Sequence, residues 1–166
     1  MEQDRSEHYV KIIVPLEQDE DGYPPVSSER IWALEAGAGR YKLDNIPFFA
    51  RELALGDIVS AVPEERADEG ILRYQQVIEP SGHSTFRVLV HDEAQVQEVC
   101  RLLERLGCGT EQSHLPRLVA IDIPPMVSLE AVRQALEPGR AQERWDYEEA
   151  CLGDSLEGVK GFVRDS

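Results

Sequence analysis

Hydrophobic positions in the first half of the chain alternate with polar ones, which is the two-residue period of half-buried strands. In residues 8–16, Val10, Ile12 and Val14 fall on one face, and a strand is predicted there. The runs 30–35 and 41–44 flank Gly37-Ala38-Gly39 and predict a hairpin. Two more strands are predicted over 57–62 and 71–78, joined by a charged loop. Between the hairpin and these strands stands Phe48-Phe49. Successive side chains of a strand point to opposite faces, so this pair predicts either a bend that buries both rings or one exposed phenylalanine. Five short strands broken by turn residues predict a small β-barrel or a curved antiparallel sheet.

The period changes after Pro80-Ser81-Gly82. Phe86, Val88 and Val90 share a face of a predicted strand over 85–90. Asp92, with Gln95 three positions on, predicts a helix N-terminus, and Val96, Val99, Cys100, Leu103 and Leu106 follow at helical spacing up to Gly107. Residues 117–123 predict a strand stopped by Pro124-Pro125. Ser128 then caps a second helix carrying Leu129, Val132 and Leu136, which is expected to end at Pro138-Gly139. Residues 141–152 are read as a third helix. Strand, helix, one or two strands and helix is the order of a ferredoxin-like α/β sandwich. The whole is therefore read as α+β. Residues 1–82 form a β-rich subdomain, residues 83–153 a ferredoxin-like subdomain, and residues 154–166 a partly disordered tail.

Charge narrows the partners. Thirty-two acidic residues against seventeen basic ones give a formal charge of −15 over 166 residues. Nucleic-acid affinity comes largely from Lys and Arg displacing counterions, so this balance argues against nucleic acid, and equally against anionic membranes. It favours rapid capture of a basic protein. The N-terminus lacks the basic start of a signal peptide, and no run approaches the ~20 apolar residues of a membrane span. A cytoplasmic protein is expected. Cys100, Cys108 and Cys151 form no C-x-x-C pair, so neither a disulfide framework nor a zinc site is suggested.

Few residues suggest chemistry. Glu17-x-Asp19-x-Asp21-Gly22 opens like a calcium loop, but its twelfth position is Ser28, where a bidentate Glu is required, and Pro24-Pro25 fill the eighth and ninth. No metal or other cofactor is expected. Ser81-Gly82-His83-Ser84-Thr85 supplies a histidine among hydroxyls, yet no nucleophile motif surrounds it, and turn chemistry explains these residue types. Arg51 and Asp57 near Phe48-Phe49, taken with His83, make a candidate ligand site at the junction of the halves. Trp145, Asp146, Tyr147, Glu148 and Glu149 combine aromatic and acidic character. Either Trp145 packs the last element onto the sheet with the carboxylates in water, or the segment meets Lys and Arg of a partner. No catalytic residue is assigned.

Several stretches resemble a known bacterial family, domain of unknown function 4265. They are Asp21-Gly22-Tyr23-Pro24-Pro25-Val26, Glu29 and Trp32, Tyr41-x-Leu43-Asp44-Asn45-Ile46-Pro47-Phe48-Phe49-Ala50, and Leu55-Gly56-Asp57-x-Val59. Ser81-Gly82-His83-Ser84-Thr85-x-Arg87-Val88 and Trp145-x-Tyr147-Glu148-Glu149 continue the likeness, which runs from about residue 9 to residue 153. The resemblance implies a bacterial, stand-alone protein and transfers no catalytic residues. By analogy with small acidic bacterial proteins, the expected function is that of an immunity protein occluding a basic cognate toxin or effector. Asp19, Glu20, Asp21, Trp145, Asp146, Tyr147, Glu148 and Glu149 would form its partner face. An enzyme or small-ligand receptor using Arg51, Asp57 and His83 is the alternative, and a regulatory adaptor pairing through a sheet edge is a third.

Overall fold

The computed structural model describes residues 9–65 and 70–153; residues 154–166, the expected tail, lie outside the described residues. Strands β1 (Tyr9–Pro15), β2 (Ser28–Glu35), β3 (Arg40–Leu43), β4 (Ile58–Pro63) and β5 (Ile71–Glu79) close into a barrel. Neighbours are antiparallel except β1 and β5, whose parallel pairing shuts the barrel. The alternation works as expected: Ile12, Val14, Ile31, Ala33, Val59 and Leu72 point inward. Register shifts at Ile58/Val59 and Ser60/Ala61 bend β4 against β5, the means by which a small barrel turns its corners. The β2–β3 hairpin turns on Gly37 and Gly39, both at positive φ, a region open to glycine at little cost.

The second half runs β6 (Ser84–Val90), α1 (Val96–Glu104), β7 (Gly109–Gln112), β8 (Leu118–Ile123), α2 (Leu129–Ala141) and β9 (Trp145–Cys151). Its four strands form an antiparallel sheet in the order β7-β8-β6-β9. Phe86, Val88, Val90, Val119, Ile121 and Ile123 share one core with the apolar stripes of both helices.

Three expectations need correction. Residues 145–151 are a strand, not a third helix. Trp145 and Tyr147 turn to the helix side, and the segment pairs with β6 from Thr85–Cys151 to Val90–Trp145, satisfying an edge that would otherwise lie open. The local helical preference of the acidic residues yields to that tertiary pairing. Helix α2 also runs through Pro138-Gly139 to Ala141; the proline forgoes its own bond to the preceding turn, while Gln142 N still donates to Pro138 O. Asp92 caps a short 3₁₀ turn over Glu93–Gln95 that leads into α1, its carboxylate accepting from Ala94 N, and α1 itself has no side-chain cap.

The three cysteines are buried, and Cys100 and Cys108 are free thiols. Burial, followed by the nearby Asp122 carboxylate, pushes the Cys108 thiol up to about 11, and burial likewise raises that of Cys100. The thiolate is the nucleophile. Iodoacetamide should therefore leave both thiols unmodified in the native protein in mildly alkaline buffer and alkylate them on denaturation, as read by intact mass. Modification of the native protein at the rate of a free thiol would contradict this placement.

Candidate functional site

Between the barrel and the sheet lies an irregular segment, residues 44–57, whose backbone groups are satisfied by side chains from both halves. On one side the Glu29 carboxylate, from β2, accepts hydrogen bonds from the backbone N–H groups of Phe48, Phe49 and Ala50. On the other, Arg87 from β6 donates from Nη1 to the carbonyls of Pro47 (3.1 Å) and Ala50 (3.0 Å), and from Nη2 to that of Phe49 (3.1 Å). Its Nε donates to Glu148 Oε2 at 2.8 Å. Arg87 is 2% exposed. One short bend is thus clamped between an anion that takes its amides and a cation that takes its carbonyls.

The clamp has flanking ties. Asn45 Oδ1 accepts from Trp32 N, and Thr85 Oγ1 donates to Leu53 O at 2.8 Å. Buried Asp57 accepts from Ala54 N and Ser81 N. Burial raises its pKa, and those two N–H groups oppose the rise by bonding the ionised form. Ser81 Oγ donates to Leu55 O and accepts from His83 N. The His83 ring meets Asp122 through Nδ1 at 2.8 Å, and burial raises the Asp122 pKa while His83 opposes it. Asp57 and His83 therefore meet around Ser81, while Arg51 lies elsewhere and reaches Glu148. The residues read as one ligand site are distributed over two places.

The clamp shapes a groove of about 470 Å³ at the mouth of the barrel. Barrel mouths are common places for ligand sites. Tyr23, Phe49 and Tyr74 wall it, with Glu17, Asp19 and Glu148 among its polar groups. Tyr23 and Phe49 meet edge to face, with centroids 6.1 Å apart. Burial and then the Glu148 carboxylate raise the Tyr23 phenol above its ordinary value, with Arg87 and Arg51 opposing. Glu148 has two roles: Oε2 is held by buried Arg87, while Oε1 faces Arg51 at 3.3 Å, whose side chain is 72% exposed. Asp19 shapes the acidic loop by accepting from the N–H groups of Asp21 and Tyr23; Glu20 and Asp21 are exposed.

The residues expected to form a partner face divide accordingly. Asp19 and Glu148, remote in sequence, line the same groove. Trp145 is 2% exposed and its Nε1 donates to Leu136 O. Tyr147 stacks on Phe86, Glu149 pairs with Arg133, and Asp146 pairs with His91 outside the groove. Sequence reasoning missed the structural roles of Glu29 and Arg87 and the groove positions of Tyr23 and Tyr74. Only Phe49 left a signal, through the adjacent aromatic pair that no regular strand accommodates. Among the described residues, no group of three His, Cys, Asp or Glu side chains is placed to hold a metal ion, and no helix is long and apolar enough to cross a membrane.

Comparison with known families matches residues 29–147 to the domain of unknown function DUF4265. The chain belongs to that family. Glu29, Asp57 and Arg87 lie within the DUF4265 match, whereas the acidic loop and Glu148 lie just outside it. A solved structure, that of a hypothetical protein from Neisseria gonorrhoeae, is similar to this DUF4265 chain at 25% sequence identity and a TM-score of 0.72, covering 88% of this chain and 96% of the other. No curated protein matches.

Proposed function

We propose that this protein is a non-catalytic binding protein whose barrel-mouth groove seats a basic side chain of a protein partner, in the manner of an immunity protein that plugs a toxin or effector. The observation that carries the reading is the groove itself, in which three aromatic rings stand beside Glu17, Asp19 and Glu148. A guanidinium entering it gains ring faces for cation–π contact and a carboxylate already oriented by a buried arginine. The formal charge of −15 adds long-range steering. The βαββαβ order and the strand order β7-β8-β6-β9 support reading the second half as a ferredoxin-like sandwich. The free, buried thiols of Cys100 and Cys108 are in keeping with a reducing, cytoplasmic setting.

Arg51 tests the reading from within. It holds Glu148 Oε1 through an exposed contact of a kind worth about 0–1 kcal/mol, and so occupies the place an incoming guanidinium would take. Titration with a tetra-arginine peptide, followed by the amide and ring signals of Tyr23 and Phe49, should show saturable shifts that a tetra-citrulline peptide does not produce. Arg51→Ala should tighten binding roughly threefold to fivefold by removing the competitor, and Tyr23→Ala should weaken it. High salt should lower the association rate more than it raises dissociation. Equal response to the citrulline peptide would remove the basis of the proposal.

A further inference from the structure

A second surface runs against the charge of the molecule. In the β2–β1–β5 part of the barrel, Ile13 stands opposite Arg30 on one side and Arg73 on the other. One pleat further on, Lys11 stands between Trp32 and Ile71. These residues alternate with inward Ile12, Ile31 and Leu72, so they share the outer face. Six arginines hold carboxylates among the described residues: Arg40, Arg51, Arg87, Arg133, Arg140 and Arg144. Arg30 and Arg73 are exposed, make no ion pair among the described residues, and line one shallow hollow of about 370 Å³ together with Glu64. Beside them Trp32 is 38% exposed, with Tyr9 edge-on to it and Lys11 Nζ 4.9 Å from its ring centroid. In a chain with 32 acidic and 17 basic residues, a triad of cations beside an exposed tryptophan is a local reversal of sign.

We infer that this outer face docks an acidic segment of a protein partner, on a surface separate from the groove. Tryptophan and arginine are the residues that concentrate binding energy at protein interfaces, and each guanidinium fork can take a carboxylate in two parallel hydrogen bonds. Two strand spacings put the Arg30 and Arg73 backbones about 10 Å apart. A polyproline II segment repeats every three residues and rises about 9 Å in doing so, so carboxylates at i and i+3 lie on one side at a matching separation. Polyphosphate chains are the poorer fit, because the charge of −15 repels a long polyanion more than it repels a short segment with two or three carboxylates.

The probe is acetyl-Glu-Pro-Leu-Glu-Pro-Leu-Glu-amide, titrated into the full chain and followed by the Trp32 indole N–H signal and the β1, β2 and β5 amides. Saturable shifts confined to that face are expected, with the Gln-for-Glu peptide giving none. Arg30→Glu with Arg73→Glu should cost roughly tenfold or more in affinity, since hydrogen bonds to charged groups are the strong ones. Arg30→Gln with Arg73→Gln provides a gentler pair if the first does not fold, as judged by circular dichroism. Four results would overturn the inference: equal binding of the Gln peptide, unchanged binding by the folded variants, preference for oligothymidylate over the peptide, or sedimentation showing self-association through this face that the variants abolish. The tetra-arginine titration leaves this result untouched, since it reports on the groove alone.

Discussion

Replacing Arg87 by methionine should lower the stability of the protein by about 3–5 kcal/mol, the range for removing one partner of a buried ion pair. The substitution keeps an unbranched apolar stem but deletes the guanidinium and every donor. Three carbonyls, those of Pro47, Phe49 and Ala50, lose their hydrogen bonds at once, and Glu148 keeps only the exposed contact with Arg51. Arg87→Lys is the informative companion. It retains the charge, but a single ammonium cannot span carbonyls that the guanidinium fork reaches from two nitrogens, so it should recover only part of the loss. Denaturant midpoints at constant slope would read both. The groove signals of Tyr23 and Phe49 should broaden in the methionine variant, because the same bend forms the groove wall. A methionine variant within about 1 kcal/mol of the parent, the ordinary size of a surface substitution effect or little more, would show that the bend is held by something other than the clamp.

The clamp also marks where the sequence stops being readable. Strand positions in the barrel follow from alternation, because each strand buries one face and wets the other, and Val10, Ile12 and Val14 report this directly. Helix α1 is legible from five apolar residues at helical spacing, and the turn at Gly37–Gly39 from its glycines. The segment 44–57 has no period, since its order comes from Glu29 and Arg87, which are 58 positions apart in sequence (87 minus 29) and carry no local mark of their partnership. Residues 145–151 misled for a related reason. Their acidic and alanine content suits a helix, but the open edge of β6 decides the outcome, and which strand lacks a neighbour is a property of the assembled sheet.

The same distinction applies to the candidate site. The acidic loop and the 145–149 segment attract notice through composition, yet composition does not reveal which carboxylates are already engaged. Glu149 is taken by Arg133, Asp146 by His91 and one oxygen of Glu148 by Arg87. What the proposal leaves for a partner is narrower than the formal charge suggests: the oxygen of Glu148 that exposed Arg51 holds, with Glu17 and Asp19 near it and aromatic rings around it. On the proposal made above, steering of a basic partner belongs to the whole surface and its recognition to one small groove held in shape by a buried arginine.

Gly139→Ala should be among the most damaging single substitutions in the chain, although alanine is the better helix former by about 1 kcal/mol. A Cβ at this position of α2 would sit 2.0 Å from Cζ2 and 2.2 Å from Cε2 of Trp145. The indole cannot easily yield, because it is 2% exposed and its Nε1 donates to Leu136 O at 3.0 Å. Either the helix lifts from β9 or the ring leaves the core. Overpacking costs about 1–3 kcal/mol and loss of a buried tryptophan about 3–5, so a destabilisation of about 3–5 kcal/mol is expected. A red shift and loss of intensity in tryptophan emission should accompany it. Trp145→Phe removes the clashing atoms along with a hydrogen bond, so the double variant should be less unstable than the sum of the two singles, a coupling that a double-mutant cycle measures directly. Additive effects would mean that the close approach of α2 to β9 does not depend on this pair. A neutral or stabilising Gly139→Ala would leave helix propensity as the winning effect and would require the indole to pack elsewhere.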